Sequence, residues 1–340
     1  MKPGRLRPGR LLWPLIALAA LIVLNVVVTP SFLELRMQDG HLFGSTVDIL
    51  RNGAPTLLIA VGMTLVIATR GIDLSVGAVA AIAGAIACTW IAETGDAVTA
   101  VLLALGVCVL LGLWNGFLVS VLGIQPIIAT LVLMTAGRGL AMLLTEGQII
   151  TVKSSLYRQI GAGFLILPVA ILISLAVLIG VALLTRRTAL GMLIEAVGIN
   201  PEAGRLAGVR SRTIVWTVYV FAALCAGVAG LMISSNVSAA DANNAGLWIE
   251  MDAILAVVIG GTSLAGGRYS LTGTLVGALV IQTLTTTVYT IGVPPNVTLV
   301  FKALVVIAVC LLQSPRTAGL VRARRRPAAS AVRPQKVGAR

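Results

Sequence analysis

The sequence predicts an all-α polytopic membrane protein of about ten transmembrane helices, with the N-terminus and C-terminus cytoplasmic. Composition, the length of the apolar runs and the placement of basic residues predict it together. The chain is 58% hydrophobic and only 11% charged, with a mean hydropathy of +1.02. Soluble domains carry about 45–50% apolar and about 25% charged residues, so the solvent of this surface must be lipid. Apolar runs occupy 11–28, 53–69, 77–92, 97–120, 126–145, 164–184, 213–236, 250–265, 271–290 and 297–313. They approach the roughly 20 residues that cross a ~30 Å hydrocarbon core. The runs at 77–92 and 250–265 are short enough to be broken or re-entrant. No run alternates apolar and polar residues, which argues against a barrel.

Ten spans starting inside put nineteen Lys and Arg on inner segments and four (Arg36, Arg51, Lys153, Arg158) in outer loops. Basic residues collect on the cytoplasmic side, so the count supports the topology. Arg138 and Lys302 fall within spans, where they can snorkel or pair with a buried carbonyl. The rest of the spans read as nearly bare of charge. The chain divides into a basic N-terminus at 1–10, one transmembrane domain at 11–313 and a basic tail at 314–340, expected to be disordered. A net charge of +13 concentrated in inner loops and tails faces anionic headgroups. Membrane lipid is therefore the expected partner of this charge, and nucleic acid is not. Spans two to five and seven to ten run in opposite senses, an order that permits an inverted repeat.

Several enzyme classes lack their residues. No GxxxxGK[ST] is present to cradle a nucleotide phosphate, and His41 is the single histidine. Cys88, Cys108, Cys225 and Cys310 lie in apolar spans without CxxC spacing, so neither a disulfide nor a metal site is expected. The first run, with no small-x-small pattern after it, is expected to remain as an uncleaved helix.

In chain order, the first polar interruption is GIDLSVG at 71–77. Asp73 and Ser75 either cap the next helix or belong to irregular backbone that lines a gate, tolerated at depth only around a cavity or inside protein. GIQP at 123–126 is a feature of the same kind, and its Gln125 and the nearby Asn115 are uncharged hydrogen-bonding groups suited to a neutral solute. Gly112–Gly116 and Gly273–Gly277 have the GxxxG spacing that allows helices to approach closely. In the long inner loop 185–212, Thr188 and Gly191 mark a helix exit and Met192–Val197 start a short amphipathic helix. Asn200 before Pro201 then reads as the cap of another short helix that Gly208 ends. Its Glu202, Ala203, Leu206 and Ala207 form a small-residue face that fits a cleft in another protein, although an ordinary connection has the same spacing. In the outer segment DANNAGLW at 241–248, Asp241, Asn243 and Asn244 either receive solute at the mouth or form a solvated turn.

The stretch EAVGINPEAGRLAGV at 195–209 resembles the ATPase-coupling loop of ABC sugar importer permeases of the ribose, arabinose and galactose branch. Residues 62–85 (GMTLVIATRGIDLSVGAVAAIAGA), 112–141 and 252–279 resemble the same branch, so the likeness covers roughly 40 to 315. Within it, 39–50 and 240–261 look most like the galactofuranose-type permeases. The resemblance implies import of a sugar from periplasm to cytoplasm by alternating access, in the bacterial inner membrane. It implies a cytosolic ABC ATPase that binds ATP and Mg, a periplasmic sugar-binding protein and a second permease copy, identical or paralogous. No cofactor and no catalysis are implied for this chain. Carried over residue by residue, the coupling-loop positions are Glu195, Gly198, Asn200, Ala203 and Gly208; Gly204 and Ala207 depart mildly from the branch pattern. Two other readings are an ion-coupled carrier without an ATPase, which nearly bare spans disfavour, and a non-transporting scaffold or enzyme, which the missing catalytic groups disfavour.

Overall fold

A computed structural model describes residues 9–38, 40–292, 297, 300–304 and 307. Among them, α1 (Gly9–Val28), α2 (Ser45–Ala68), α3 (Val76–Thr94), α4 (Ala97–Ser120), α5 (Pro126–Leu144), α7 (Val169–Arg187), α10 (Ser211–Val237) and α12 (Leu271–Thr290) are long and apolar enough to cross a membrane. The remaining helices are short: α6 (Ser155–Ala162), α8 (Leu190–Ile199), α9 (Pro201–Leu206) and α11 (Ile249–Ile259). Local chemistry sets several ends. Asp96 accepts from the amides of Val98 and Thr99 to open α4, and Ser270 accepts from Gly273 N to open α12. Pro126 takes the first position of α5, where its missing N–H costs nothing.

Four expected boundaries shift. The run at 53–69 extends back to Ser45, and 77–92 is one unbroken helix, α3. The run at 164–184 becomes Val169–Arg187 because Pro168 sits at the N-cap and residues 164–168 fold back as a bridge. The run at 250–265 is replaced by the 11 residues of α11, which ends before Gly260, a rise of about 16 Å and half a bilayer. Most of the tenth run, Cys310 and the basic tail lie outside the described residues.

The connections sort to two ends, as the charge count expects. At one end β1 (Arg36–Gln38) pairs with β2 (His41–Phe43), and β3 (Ile150–Thr151) pairs with β4 (Ala239–Ala240). Leu42 N donates to Ile166 O at 3.2 Å, joining the hairpin to the 163–168 turn. At the other, arginine-rich end, Gly267 N donates to Ala68 O at 2.9 Å and the α8–α9 segment closes over the end of α2. These are called the outer and inner ends below.

The core is built from α2, α3, α10 and α12, while α1, α4, α5 and α7 turn most of their apolar surface outward. Helix α2 runs antiparallel to α10, with Gly62 against Ala222 and the Arg51 guanidinium donating to Asn236 Oδ1. Helix α4 lies antiparallel on α10 and α12 antiparallel on α2, where the Thr64 and Thr274 hydroxyls meet at 2.7 Å. Helix α3 packs between α10 and α4, just as α11 packs between α2 and α12. The second half thus takes toward α2 the places that the first half takes toward α10, which is the arrangement an inverted repeat requires. Both GxxxG pairs serve packing. A Cβ at Gly112 would stand 2.7 Å from Val220 Cα, and one at Gly277 would stand 2.0 Å from Ala256 O.

The close approach of α3 to α10 yields a paired prediction. A Cβ on Gly230 would lie 2.0 Å from Ala80 O, whereas nothing lies within 4 Å of one on Gly106. Gly230→Leu is expected to destabilise the purified protein by about 1–3 kcal/mol, read as a lower thermal unfolding midpoint. Gly106→Leu should leave that midpoint unchanged.

Candidate functional site

Two stretches of irregular backbone enter the helical bundle from opposite ends. Along α10, Gly62 of α2 faces Ala222, whereas Ala80 of α3 faces Gly230, eight residues or about 12 Å further on. Helix α3 therefore starts inside the bundle, and residues 69–75 climb to it from the inner end. The climb begins at Arg70, held at φ 66°, after which Gly71 N donates to Val66 O at 2.9 Å. Thr130 Oγ1 of α5 donates to Ile72 O at 3.2 Å. Asp73 Oδ1 accepts from Ser75 N at 2.9 Å and from Ser75 Oγ at 2.6 Å, and Ser75 Oγ accepts from Asn115 Nδ2 at 2.9 Å. Asp73, Ser75 and Asn115 are all buried. Neither Asp73 nor Ser75 caps α3 through its side chain, because the two bind each other instead. Gln125 does not join them; it is exposed at the start of α5 and makes no side-chain cap.

From the outer end, residues 241–248 descend along α3 toward α11. Asp241 Oδ1 accepts from the amides of Asn243 (3.0 Å) and Asn244 (3.2 Å), and its Oδ2 accepts from Asn244 Nδ2 at 2.8 Å. The Asn244 side chain is the main cause holding the Asp241 carboxyl below the usual range, against some desolvation, with its amide bonds and Arg138 assisting. Asn243 and Asn244 are exposed. Arg138 Nη1 of α5 donates to Ala245 O at 2.6 Å and Ala242 O at 3.1 Å, the carbonyl pairing its sequence position allows. At the bottom of the descent Gly246 touches Gly77, in the first turn of α3. The two interruptions thus meet on either side of that turn, although no hydrogen bond joins Asp73 to Asp241.

Three polar residues, two buried and Asp252 half-buried, escaped the sequence reading. Glu250, 3% exposed, lies against Gly77 with its Oε2 unpartnered. Asp252 pairs with Lys302 at 2.8 Å, so this lysine meets a carboxylate and not a carbonyl. The spans are therefore less bare than expected. Two carboxylates in the opening turn of an apolar run were the signal, since such charges persist in membranes only with a purpose. Tyr219, wholly buried in α10 with an unpartnered hydroxyl, gave no periodic signal.

The inner surface carries the second feature. Asn200 Oδ1 accepts from Glu202 N (3.1 Å) and Ala203 N (3.0 Å), so α9 is capped as its sequence predicts. Gly208, at φ 83°, ends it. Ala203, Leu206 and Ala207 are exposed together, Leu206 to 83%. Glu195 is half-buried on α8, while Gly198 is buried in the clasp that seats this loop. A Cβ on Gly198 would stand 1.8 Å from Ala68 O and 2.6 Å from Gly267 N. The Arg70 guanidinium donates to Ile199 O, a cation at the negative end of α8. The last turn of α8, the end of α2 and the 260–270 loop are thereby joined backbone to backbone. Among the described residues, no group of three or more His, Cys, Asp or Glu is placed to hold a metal ion.

Comparison with known proteins adds identity to this geometry. The family model described as branched-chain amino acid transport system / permease component matches residues 45–310. The galactofuranose transporter permease protein of Escherichia coli K12 is 51% identical over 319 residues, 92% of this chain and 94% of the relative. The fructose import permease protein of Bifidobacterium longum is 41% identical over 319 residues, 92% and 90% of the two chains. The ribose import permease protein of Bacillus subtilis is 36% identical over 310 residues, 90% and 94%. No solved structure matches.

The clasp is testable without any transport assay. Gly198→Ala is expected to push α8 off Ala68 and speed hydrogen exchange at the Gly267 amide by about tenfold. Exchange at the wild-type rate would mean that the junction tolerates the extra atom.

Proposed function

The chain belongs to the family of branched-chain amino acid transport system / permease components, and from that premise we propose that it is the membrane-spanning subunit of an ATP-binding-cassette sugar importer. It sits in the bacterial inner membrane and carries a neutral monosaccharide, galactofuranose or a related sugar, from periplasm to cytoplasm by alternating access. The relatives named for galactofuranose, fructose and ribose support a sugar over the amino acid of the family description. The uncharged hydrogen-bonding groups at Ser75, Asn115, Asn243 and Asn244 suit a polyol, and with Asp73 and Asp241 they are the proposed path or gate.

The observation that carries the reading is the capped, exposed α8–α9 surface clasped to α2. A cytosolic ATPase dimer that binds ATP and Mg takes up this surface, with Asn200, Ala203 and Gly208 shaping it and Glu195 and Gly198 seating it. Movement there passes directly to α2 and to the 260–270 loop, which bounds α11 and α12. A periplasmic sugar-binding protein delivers to the outer end, and a second permease copy, identical or paralogous, completes the complex. ATP hydrolysis belongs to the partner, and no reaction is assigned to this chain.

Buried Glu250 and the Asp252–Lys302 pair favour one rival, an ion-coupled carrier. Uptake of labelled sugar into proteoliposomes holding this chain, the ATPase and the binding protein separates the two. ATP-dependent uptake is expected. The Glu195→Ala, Asn200→Ala variant should lose most of it, since losing the α9 cap alone costs about 1 kcal/mol. Uptake indifferent to ATP would favour the ion-coupled carrier.

A further inference from the structure

A cavity of ≈ 200 Å³ opens at the inner end, between α4, α5, α10 and the α8–α9 loop. We propose that it is a weak exit site in which a monosaccharide rests before release into the cytoplasm; the inference rests on the importer reading above.

Its wall is chemically mixed. Val119, Pro126 and Val215 offer apolar surface, while Tyr219 and Ser120 offer hydroxyls. The Tyr219 side chain is wholly buried, and both its hydroxyl and Ser120 Oγ lack any hydrogen-bond partner. A buried polar group left unpaired costs about 1–3 kcal/mol. Two on one cavity wall point to an occupant that donates and accepts hydrogen bonds. A sugar ring has that character, with C–H faces for the valines and proline and hydroxyls at its edge. The volume lies below the about 300–1,000 Å³ of pockets for drug-sized ligands, which suits a single ring.

Weak retention follows from the wall composition. Arg212 is the charged residue on it, and no carboxylate or amide side chain contributes. A conducting site must bind well enough to be entered and poorly enough to be left. Release is also tied to the coupling loop, because Val197 of α8 and Pro201 of α9 form part of the same wall. Thr69, also on the wall, follows directly on Ala68, to which α8 is clasped. A displacement of α8–α9 by an ATPase would therefore reshape the cavity itself. A second cavity, ≈ 810 Å³ between α4, α6 and α7, has a mainly apolar wall and offers a polyol little.

The test uses the complete complex in proteoliposomes, with whichever of labelled D-galactose, D-fructose and D-ribose the wild type carries fastest. Tyr219→Phe combined with Ser120→Ala should lower the sugar carried per ATP hydrolysed by about fivefold or more, the factor that two lost hydroxyl contacts allow. A ratio equal to that of wild type would overturn the exit site. In case the double variant fails to assemble, Ser120→Cys provides a second readout. The same sugar should slow its modification by a membrane-impermeant methanethiosulfonate applied from the cytoplasmic side, relative to the unsubstituted chain. Modification that sugar does not slow means that water alone fills the cavity, and it overturns the proposal too. If wild type carries none of the three sugars with ATP, the importer reading fails and the exit site falls with it. Wild-type uptake with an unaffected double variant removes the exit site alone.

Discussion

Hydrocarbon offers no hydrogen bonds, and every other feature of this molecule follows from how the chain meets that constraint. Helices meet it by themselves. The two non-helical stretches that enter the bundle cannot, and each borrows partners. In residues 71–75, Val66 O takes the amide of Gly71, Thr130 supplies the carbonyl of Ile72, and Asp73 takes the amide of Ser75. In residues 241–248, Arg138 supplies two carbonyls, while Asp241 takes the amides of Asn243 and Asn244. Asp73 and Arg138 therefore have work to do in the folded protein before any solute arrives. An arginine in the middle of an apolar helix is tolerated because its charge is spent on backbone oxygens.

That constraint also explains how the two halves are connected. Each half places a helix that follows a non-helical stretch, α3 or α11, between two others, and small residues let the backbones close up. In the proposed reading such an interior moves between two arrangements, since close-packed helices shift as bodies and do not deform smoothly. Motion has to enter at the ends, where the segments are joined. The clasp of Gly198 on Ala68, and of Gly267 on the same carbonyl, brings the α8–α9 loop against elements of both halves at backbone distance. In the proposed reading this is where a nucleotide-driven movement divides between α2 and α11–α12.

Much of this was legible in the sequence, and the exceptions share a cause. Hydropathy reads composition, so it found the long helices, and spacing found the GxxxG contacts and the Asn200 cap. Each of these signals is local. Depth is not local. Nothing in GIDLSVG says that α3 begins inside the bundle, because its depth is set by Ala80 meeting Gly230 on another helix. Residues 164–168 are as apolar as the helix after them, and only the geometry at Pro168 removes them from it. The outer strands and α6 lie in polar connections where short pairings leave no period to read. Gln125 was grouped with Asn115 by chemistry alone, and the fold leaves it at the surface.

Glu250 shows where satisfaction stops. Its Oε2 has no hydrogen-bond partner, yet it rests on Gly77 in the first turn of α3. The unbonded amides of a helix start carry a partial positive charge, and the charge of Arg138 lies close enough to act on Glu250 as well. No ion pair holds this oxygen, and its contact with Gly77 ties α11 of one half to α3 of the other. A contact of that kind fixes no single geometry. It lets α3 and α11 slide by small amounts without breaking an ion pair, whereas a direct Arg138–Glu250 bridge would have to be broken at a cost of several kcal/mol in a dry interior. In the proposed reading the solute is neutral and brings no counter-charge to replace a broken pair, so a junction without an ion pair suits a path that must open and close.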